Sequence, residues 1–412
     1  MADNKDKKVL NVPALRFPEF TEEWKEERLS KIAELSKGVG ISKEQLSEDG
    51  EPCILYGELY TKYKSEIIHK VISKTNIESS NLKRSKRNDV IIPCSGETAI
   101  DIAVARCVPF DNILLGGDLN IIRLHKDDGA FMAYQLNGKR KIDIAKLAQG
   151  VSVVHLYGEN IKAIKTYNPC LQEQQKIVKL LSMLDERIEV QNKIIEKLET
   201  LIKGITDVLL DNPLWEKVFL HSFMQFYQSN SLSWEQLSYE DGKIRNLHYG
   251  LIHNFSTKGI NANSLPMILS HNEPKQYTLC KVGDVAFADA SEDTNEIGKA
   301  VEFISVHPSG TICGLHTLHG RDIKNKTVVG FKGFAFNSRY FHDQIKRLAQ
   351  GSKVFSITAN NLLSCYIYIP NIAKQEMITK LLHAYEEKIM ANKTLLDKYE
   401  MQRTYLLQRM FI

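Results

Sequence analysis

The sequence predicts an α+β fold. Two α/β domains with mostly antiparallel strands are expected to be separated by two long helices packed as an antiparallel coiled coil. The helices are predicted by apolar residues that recur in alternating steps of four and three from Ile177 to Leu209. The same stripe returns from Ile378 to Met410, and each stripe follows a segment of the size of a globular domain. The chain is therefore expected to be an internal repeat with pseudo-two-fold symmetry.

The two stripes share one register, since Ile378 stands 201 positions after Ile177 and the other positions follow the same offset. A polar residue interrupts both at one point, Gln191 in the first and Asn392 in the second. Such residues fix register at a cost in stability, so replacing both by Leu should raise the melting temperature. The positions expected to pack are Ile177, Leu181, Leu184, Ile188, Gln191, Ile195, Leu198, Ile202, Ile205, Leu209, Ile378, Leu382, Tyr385, Ile389, Asn392, Leu396, Tyr399, Leu406 and Met410.

Length and composition set the broad class. A chain of 412 residues is long enough for two or three domains, and 43% hydrophobic with 25% charged residues is typical of a folded protein. The net charge of +4 permits a nucleic-acid partner without requiring one. Seven scattered cysteines without a C-x-x-C pair indicate reduced thiols rather than a disulfide or zinc framework. With no signal peptide and no apolar run of membrane-spanning length, a cytoplasmic protein without a membrane partner is expected.

The first domain is expected to span residues 1–166, including a polar tail at 1–11, and the first helical spacer residues 167–213. Short β-like runs occur at 90–92, 103–105 and 121–122, followed by a helix-like run at 129–150 and an alternating stretch at 161–167. Pro169 precedes the first long helix, which should stop near Asp211-Asn-Pro213.

The second domain is expected to span residues 214–368 and the second helical spacer 369–412. It repeats landmarks of the first at offsets that climb from 191 through 193 and 195 to 201, as small loop insertions would produce. Trp215 matches Trp24, Tyr249-Gly250 matches Tyr56-Gly57, and Gly283-Asp-Val285 matches Asn88-Asp-Val90.

Each helix of about 33 residues would be about 50 Å long, and its apolar stripe requires a partner. Parallel pairing of the two helices would put both domains at one end, whereas antiparallel pairing would put the domains at opposite ends, related by a pseudo-two-fold axis. That arrangement matches the local dyad of duplex DNA, on which half-sites are spaced by helical turns.

Together these features resemble the specificity subunit of type I restriction-modification systems. The motifs that carry the resemblance are Val12-Pro-Ala-Leu-Arg-Phe-Pro-Glu-Phe20, the openings at Trp24 and Trp215, the Leu-Ala-Gln-Gly strings at 147–150 and 348–351, and the helix entries at 169–177 and 370–378. The resemblance implies recognition of a bipartite asymmetric site in double-stranded DNA, one half per target recognition domain. It also implies docking of two modification (methyltransferase) subunits, with restriction subunits in the full complex. S-adenosylmethionine, ATP and Mg²⁺ would then belong to those partners, and this chain would hold no cofactor.

Motifs for chemistry within this chain are weak. An adenine methyltransferase needs Asn/Asp-Pro-Pro-aromatic, whereas Asn168-Pro-Cys-Leu171 and Asn212-Pro-Leu-Trp215 lack the second proline. Asp241-Gly-Lys243 has the Asp-x-Lys form of some nucleases without a fitting acidic partner. His316-Thr-Leu-His319 has no further ligands at zinc spacing, so a satisfied strand histidine is the favoured interpretation. We expect a non-catalytic protein without a metal site.

Candidate DNA-binding residues are basic, aromatic or small polar side chains in probable loops, because phosphates attract Lys and Arg while base edges need hydrogen-bonding groups. A solvated charged face or a capped turn would explain each motif equally well. The candidates are Tyr56, Thr61, Lys62, Tyr63, Lys64, Lys86, Arg87, Ser95, Thr98, Tyr249, His253, Asn254, Lys258, Ser291, Glu292 and Thr294.

Two other classes of function remain open on the sequence. One is a non-catalytic coiled-coil adaptor that joins two protein-binding domains, which the small net charge permits. The other is a fused enzyme with unrecognised motifs. The bases recognised, the length of the spacer between half-sites and the oligomeric state are not predicted.

Overall fold

The structure is a computed structural model that describes residues 10–78, 80–253 and 259–412.

Contacts between residues divide the chain into two compact units. The first unit comprises Met1–Asn192 with Leu395–Ile412, and the second comprises Lys193–Thr394. Among the described residues, no helix is both long and apolar enough to cross a membrane.

The first unit contains thirteen short strands among its described residues. They are β1 (Lys25–Arg28), β2 (Ala33–Lys37), β3 (Leu46–Ser47), β4 (Glu51–Ile54), β5 (Ser73–Thr75), β6 (Lys83–Arg84), β7 (Asp89–Pro93), β8 (Ser95–Gly96), β9 (Arg106–Val108), β10 (Leu114–Leu115), β11 (Leu119–Leu124), β12 (Val154–His155) and β13 (Lys165–Asn168). Its helices are α1 (Leu29–Ile32), α2 (Glu58–Thr61), α3 (Ala99–Ile102), α4 (Gly129–Asn137), α5 (Lys141–Ala145), α6 (Gly158–Lys162) and the first part of α7 (Leu171–Leu210).

An antiparallel sheet of order β2-β11-β7-β9 forms the centre of the first unit. Side chains alternate across a strand, so Val90 and Ile92 of β7 face the cluster that includes Met132 of α4, whereas Ile91 faces a second cluster with Ile54. Both faces of β7 are thus covered, which explains its unbroken apolar run. A second sheet, β3-β5-β4-β10-β6, contains the parallel pair β4–β10.

The second unit contains twelve strands among its described residues. They are β14 (Glu216–Phe219), β15 (Met224–Tyr227), β16 (Leu237–Ser238), β17 (Arg245–Leu247), β18 (Met267–Ile268), β19 (Val285–Ala288), β20 (Ala290–Ser291), β21 (Ala300–Glu302), β22 (Thr311–Cys313), β23 (Thr317–Asp322), β24 (Phe355–Ser356) and β25 (Tyr366–Ile369). Its helices are α8 (Tyr249–Ile252), α9 (Phe331–Ala335), α10 (Arg339–Leu348), α11 (Ala359–Ser364), the last part of α7 and the first part of α12 (Ile372–Arg409). Its central antiparallel sheet has the order β15-β23-β19-β21.

Three elements differ from the sequence prediction. The alternating stretch at 161–167 begins inside α6, and its strand, β13, starts only at Lys165. The β-like run at 103–105 is a loop, because the Asn137 side chain bonds both backbone groups of Ala105, and the strand β9 begins only at Arg106. The helix-like run at 129–150 is two helices, α4 and α5, with Gly138 as the residue that caps α4. The predicted strands at 90–92 and 121–122 lie within β7 and β11, and α7 ends one residue before Asp211.

The long helices make contacts within each unit. In the first unit, the start of α7 packs against the end of α12, where Ile177, Leu181 and Leu184 share a core cluster with Leu406 and Met410. In the second unit, the end of α7 packs against the start of α12, where Leu210 shares a cluster with Ile378 and Leu382. Every position expected to pack has a buried or half-buried side chain.

The motif that enters each long helix is explained by a buried glutamine. Gln174 donates to Asp127 and to the carbonyl of Pro169, at 2.7 and 3.0 Å, and accepts from the amide of Asp128. Gln375, which stands 201 positions later, makes the corresponding bonds to Lys326, Pro370 and Val328. The residue before this glutamine differs between the copies: Glu173 is buried and bonded by Arg16, whereas Lys374 is exposed.

Candidate nucleic-acid interface

The loop after β4 carries the first group of candidates, and most of them have structural partners. Lys62 bonds the buried carboxylate of Glu58 at 2.6 Å. The ring of Tyr63 is buried, its hydroxyl accepts from the amide of Ile72, and burial raises its pKa to about 12. Thr61 donates to the carbonyl of Gly57. Lys64 is exposed and Tyr56 half-buried, so Lys64 is the cation in this loop that is best placed to meet a phosphate.

The loop after β7 carries the next two candidates. Ser95 is buried and donates to Asp118 at 3.2 Å, and Thr98 caps α3 by accepting from the amide of Asp101. The role of Thr98 in the structure is therefore to cap a helix, which is the alternative that the sequence left open for these motifs. A Cβ built on either Gly57 or Gly96 would lie within 3.8 Å of the Tyr60 hydroxyl, so Tyr60 lies where the Tyr56 loop and the Ser95 loop meet. No sequence motif points to Tyr60, because it occupies an ordinary position in the short helix α2.

Lys86 and Arg87 are exposed in the turn that precedes β7, whereas Ser95 and Thr98 follow that strand. Five residues of strand separate the two sets, or about 17 Å at 3.4 Å per residue. The basic run is therefore at the other end of β7 from the Ser95 loop, and the candidates of the first unit do not form one continuous patch.

Aromatic rings form a row of contacts in the corresponding region of the second unit. Trp234 packs against His248 in a tilted arrangement at 4.4 Å between ring centroids, His248 contacts Tyr249 at 4.7 Å, and Tyr249 meets His316 edge-on at 5.4 Å. Burial lowers the pKa of His248, and the nearby His316 lowers it further. Trp234 is 45% exposed and so presents part of a large ring to solvent at the end of this row.

His316 was assigned to a strand by the sequence interpretation, which is wrong for this residue. It lies in the turn before β23 with a positive φ of 55°, and its ring bonds Asp289 at 3.1 Å while remaining about half exposed. Asp118 has the same left-handed conformation, at φ 58°, in the turn before β11 of the first unit. The prediction of a strand histidine is correct for His319, which is buried in β23.

The remaining candidates of the second unit have mixed surroundings. His253 bonds Glu296 at 2.8 Å, Ser291 accepts from the amide of Asp293, and the carbonyl of Thr294 bonds His342. Glu292 is exposed and is the acidic side chain of this loop best placed to accept from a base. Asn254 and Lys258 lie outside the described residues.

The sequence interpretation also found no further metal ligand near His319. The structure places the thiols of Cys280 and Cys313 beside this ring, with the candidate ligand atoms of the three residues within 4.8 Å of one another. Local spacing missed the group because Cys280 is 33 residues from Cys313, although His319 follows Cys313 closely in the chain.

Comparisons with known proteins concern the fold and the domain family of the chain. Residues 21–200 match the family model of the Type I restriction modification DNA specificity domain. The chain is similar to the S subunit of a type I restriction-modification system from M. genitalium, with 16% identity, a TM-score of 0.60, and coverage of 97% of this chain and 99% of that one. It is also similar to a chain solved in work on complex assembly and conformational transition of the type I R-M system, with 14% identity, a TM-score of 0.56, and coverage of 94% and 97%. The resemblance to S subunits indicated by the sequence motifs is therefore confirmed by the family-model match over residues 21–200 and by the fold shared with these neighbours.

Proposed function

We propose that this chain is the DNA sequence-recognition subunit of a type I restriction-modification complex, with each unit reading one half of a bipartite target. The match of residues 21–200 to a DNA specificity domain carries the proposal. The second unit supports it, because its central sheet has the strand order of the first: β15-β23-β19-β21 corresponds to β2-β11-β7-β9. Two units of one architecture with different loop residues suit two different half-sites.

The long helices are proposed to form an antiparallel coiled coil within a pseudo-two-fold repeat. The support is that α7 starts against the end of α12 in the first unit and ends against the start of α12 in the second. Ion pairs follow the same order, with Arg403 on Asp185 at 2.6 Å and Lys393 on Glu199 at 2.6 Å. In this proposal, the coiled coil sets the spacing of the half-sites along the duplex.

Docking of two modification subunits is proposed to use a second apolar seam on the helices. On α7 this seam consists of side chains that are 37% to 77% exposed and recur mostly at seven-residue intervals beside the packed stripe: Leu180, Met183, Val190, Ile194, Leu201 and Val208. A helix with a second apolar seam is suited to a further helical partner. In the proposed complex, those partners carry adenine methylation and ATP-dependent cleavage, with S-adenosylmethionine, ATP and Mg²⁺, in the cytoplasm, and this chain carries out no catalytic step.

The docking surface can be tested with Leu201→Arg. The side chain is 46% exposed, so the variant should fold normally but lose its modification subunits, because the charge cannot be buried in an apolar interface. Lys197→Arg, on the same helix and exposed, is the matched control. Sizing columns would measure complex formation, and full assembly by Leu201→Arg would reject the seam.

DNA reading can be tested by fluorescence anisotropy on the chain assembled with modification subunits. Lys64→Ala should weaken binding to all duplexes alike and reduce the slope of log affinity against log salt by about one. Lys62→Ala should also weaken binding generally, together with a loss of stability, because Lys62 neutralises the buried Glu58. Lys25→Ala, exposed on β1, is the control. If Lys64→Ala binds like the control, Lys64 does not contact phosphate.

Changes at Glu292 or Ser291 should instead alter preference at one base pair, by about 1–3 kcal/mol for one lost specific contact. Glu292→Gln keeps the shape of the side chain and is the sharper variant. Measurement across a panel of single-base substitutions checks it, and an unchanged preference profile would remove this loop from the interface. A coiled-coil adaptor remains the competing function, and it predicts no binding to random duplex at low salt.

A further inference from the structure

Two cysteines and a histidine meet in the interior of the second unit. Cys280 precedes β19, Cys313 ends β22 and His319 lies within β23, and each is no more than 4% exposed. The two Sγ atoms lie 3.6 Å apart, and the candidate ligand atoms of the three residues lie within 4.8 Å of one another. Three soft or borderline donor groups thus converge on one point from three separate segments of the chain.

The imidazole of His319 is held in a defined orientation. Its Nε2 bonds Asp284 at 2.7 Å, and the carboxylate of Asp284 is itself held by Arg321 at 2.8 and 2.7 Å. Nδ1 is left as the nitrogen available to the two thiols. A histidine that ligates a metal through one nitrogen while a carboxylate holds the other is a recurring arrangement in zinc sites.

The first unit shows that this fold does not itself need these residues. Its parallel pair Ile54–Leu115 corresponds to Leu247–Cys313, so Leu115 takes the place of Cys313. In the same way, Ile121 takes the place of His319 opposite the central strand. Ser85 takes the place of Cys280, since its amide bonds Ile113 as that of Cys280 bonds Thr311. The group of three is therefore an addition specific to the second unit.

We propose that Cys280, Cys313 and His319 bind one Zn²⁺ ion. Zinc prefers thiolate and imidazole ligands, and a tetrahedral ion with Zn–S bonds of about 2.3 Å sets two sulfurs about 3.8 Å apart, close to the separation found here. Three protein ligands leave the fourth position to water or another small ligand. Two buried thiolates would be unfavourable alone, and the cation neutralises them.

The position of the site gives it a structural consequence. Cys313 and His319 lie on either side of the turn that carries His316, the half-exposed histidine bonded to Asp289. A metal ion that joins β22 to β23 would therefore fix the turn from both sides. The proposal does not rest on the proposed DNA-recognition function, because metal content and stability are measured without DNA.

The test uses the full chain, purified under reducing conditions. We expect one zinc per chain by elemental analysis, a melting temperature that falls on chelation and recovers with Zn²⁺, and a thiolate-to-metal charge-transfer band when Co²⁺ replaces zinc. Cys280→Ser, Cys313→Leu and His319→Ile introduce the residues of the first unit, and each should weaken zinc binding by at least about tenfold. Cys365→Ser, another buried thiol of the second unit, is the control and should bind zinc normally.

Three results would overturn the proposal. The first is purified chain that neither contains zinc nor takes it up on titration. The second is Co²⁺ bound without a thiolate band, which needs no variant and so does not depend on variant folding. The third is full zinc content in all three variants, which would place the metal elsewhere.

Discussion

Arg403 stands in the second helical stripe at the position that Ile202 occupies in the first, and its surroundings explain the polar side chain. Its guanidinium bonds Asp185 at 2.6 Å and also contacts Glu66, while the hydroxyl of Tyr134 donates to Asp185 at 2.6 Å. Both carboxylates are buried or nearly so. Burial raises the pKa of Asp185, and Arg403 partly offsets this effect. Arg403 thus pairs with two buried acids within the first unit.

Arg403→Met should destabilise the first unit by about 3–5 kcal/mol, because it leaves two buried carboxylates without their cation. Lys393→Met, which breaks the exposed pair with Glu199, should cost less than about 1 kcal/mol. Urea denaturation of both variants gives the comparison. Equal losses would show that the buried network contributes no more than a surface ion pair.

The loss in Arg403→Met should also depend on pH. Without the cation, the folded-state pKa of Asp185 rises further above its ordinary value of 3.8, so the folded protein binds the proton more tightly than the unfolded chain. The destabilisation is therefore complete at neutral pH and shrinks as the pH falls toward that value. Repeating the denaturation at several pH values checks this, and a loss that grows on acidification would contradict it.

At the scale of elements, each long helix is anchored at its first turn by a glutamine. Gln174→Leu should cost at least about 1–3 kcal/mol, because it leaves the amide of Asp128 and the carbonyl of Pro169 without this partner. Gln175→Leu changes an exposed neighbour in the same way and should have almost no effect. Thermal unfolding distinguishes them, and similar melting temperatures would show that the anchor is dispensable.

The polar layer of the helices gives a second prediction at this scale. Gln191 is 6% exposed, whereas Asn392 is half-buried and donates to the carbonyl of Lys388 in its own helix at 2.7 Å. Replacing both by Leu should raise the melting temperature, with most of the gain from Gln191, since burial of an apolar side chain there is more complete. Calorimetry of the single and double variants measures how much each replacement contributes to the rise in melting temperature. A lower melting temperature in the double variant would contradict the assigned role in register.

For the whole molecule, the proposed coiled coil makes a prediction about DNA spacing. One heptad inserted into α7 after Asn192 and one into α12 after Thr394 would add about 10.5 Å at 1.5 Å per residue. The preferred spacer between half-sites should then lengthen by about three base pairs, given 3.4 Å per base pair. Selection from duplexes with randomised spacers measures this. A chain that folds, assembles and keeps the original spacer would show that the helices do not set the distance.

The sequence by itself determined the two long helices, their shared register and the duplicated order of landmarks. It could do so because heptad periodicity is a local signal that persists over about 33 residues, and its packed positions are all buried or half-buried in the structure. Tertiary structure alone decided which candidate DNA-binding residues of the loops already have a partner within the protein. The sequence suggests that Lys62 and Thr98 are free surface groups. In the folded loops, Lys62 bonds Glu58 and Thr98 caps α3. The group of Cys280, Cys313 and His319 likewise exists only once the segment of Cys280 packs against β22 and β23, which lie more than thirty residues further along the chain.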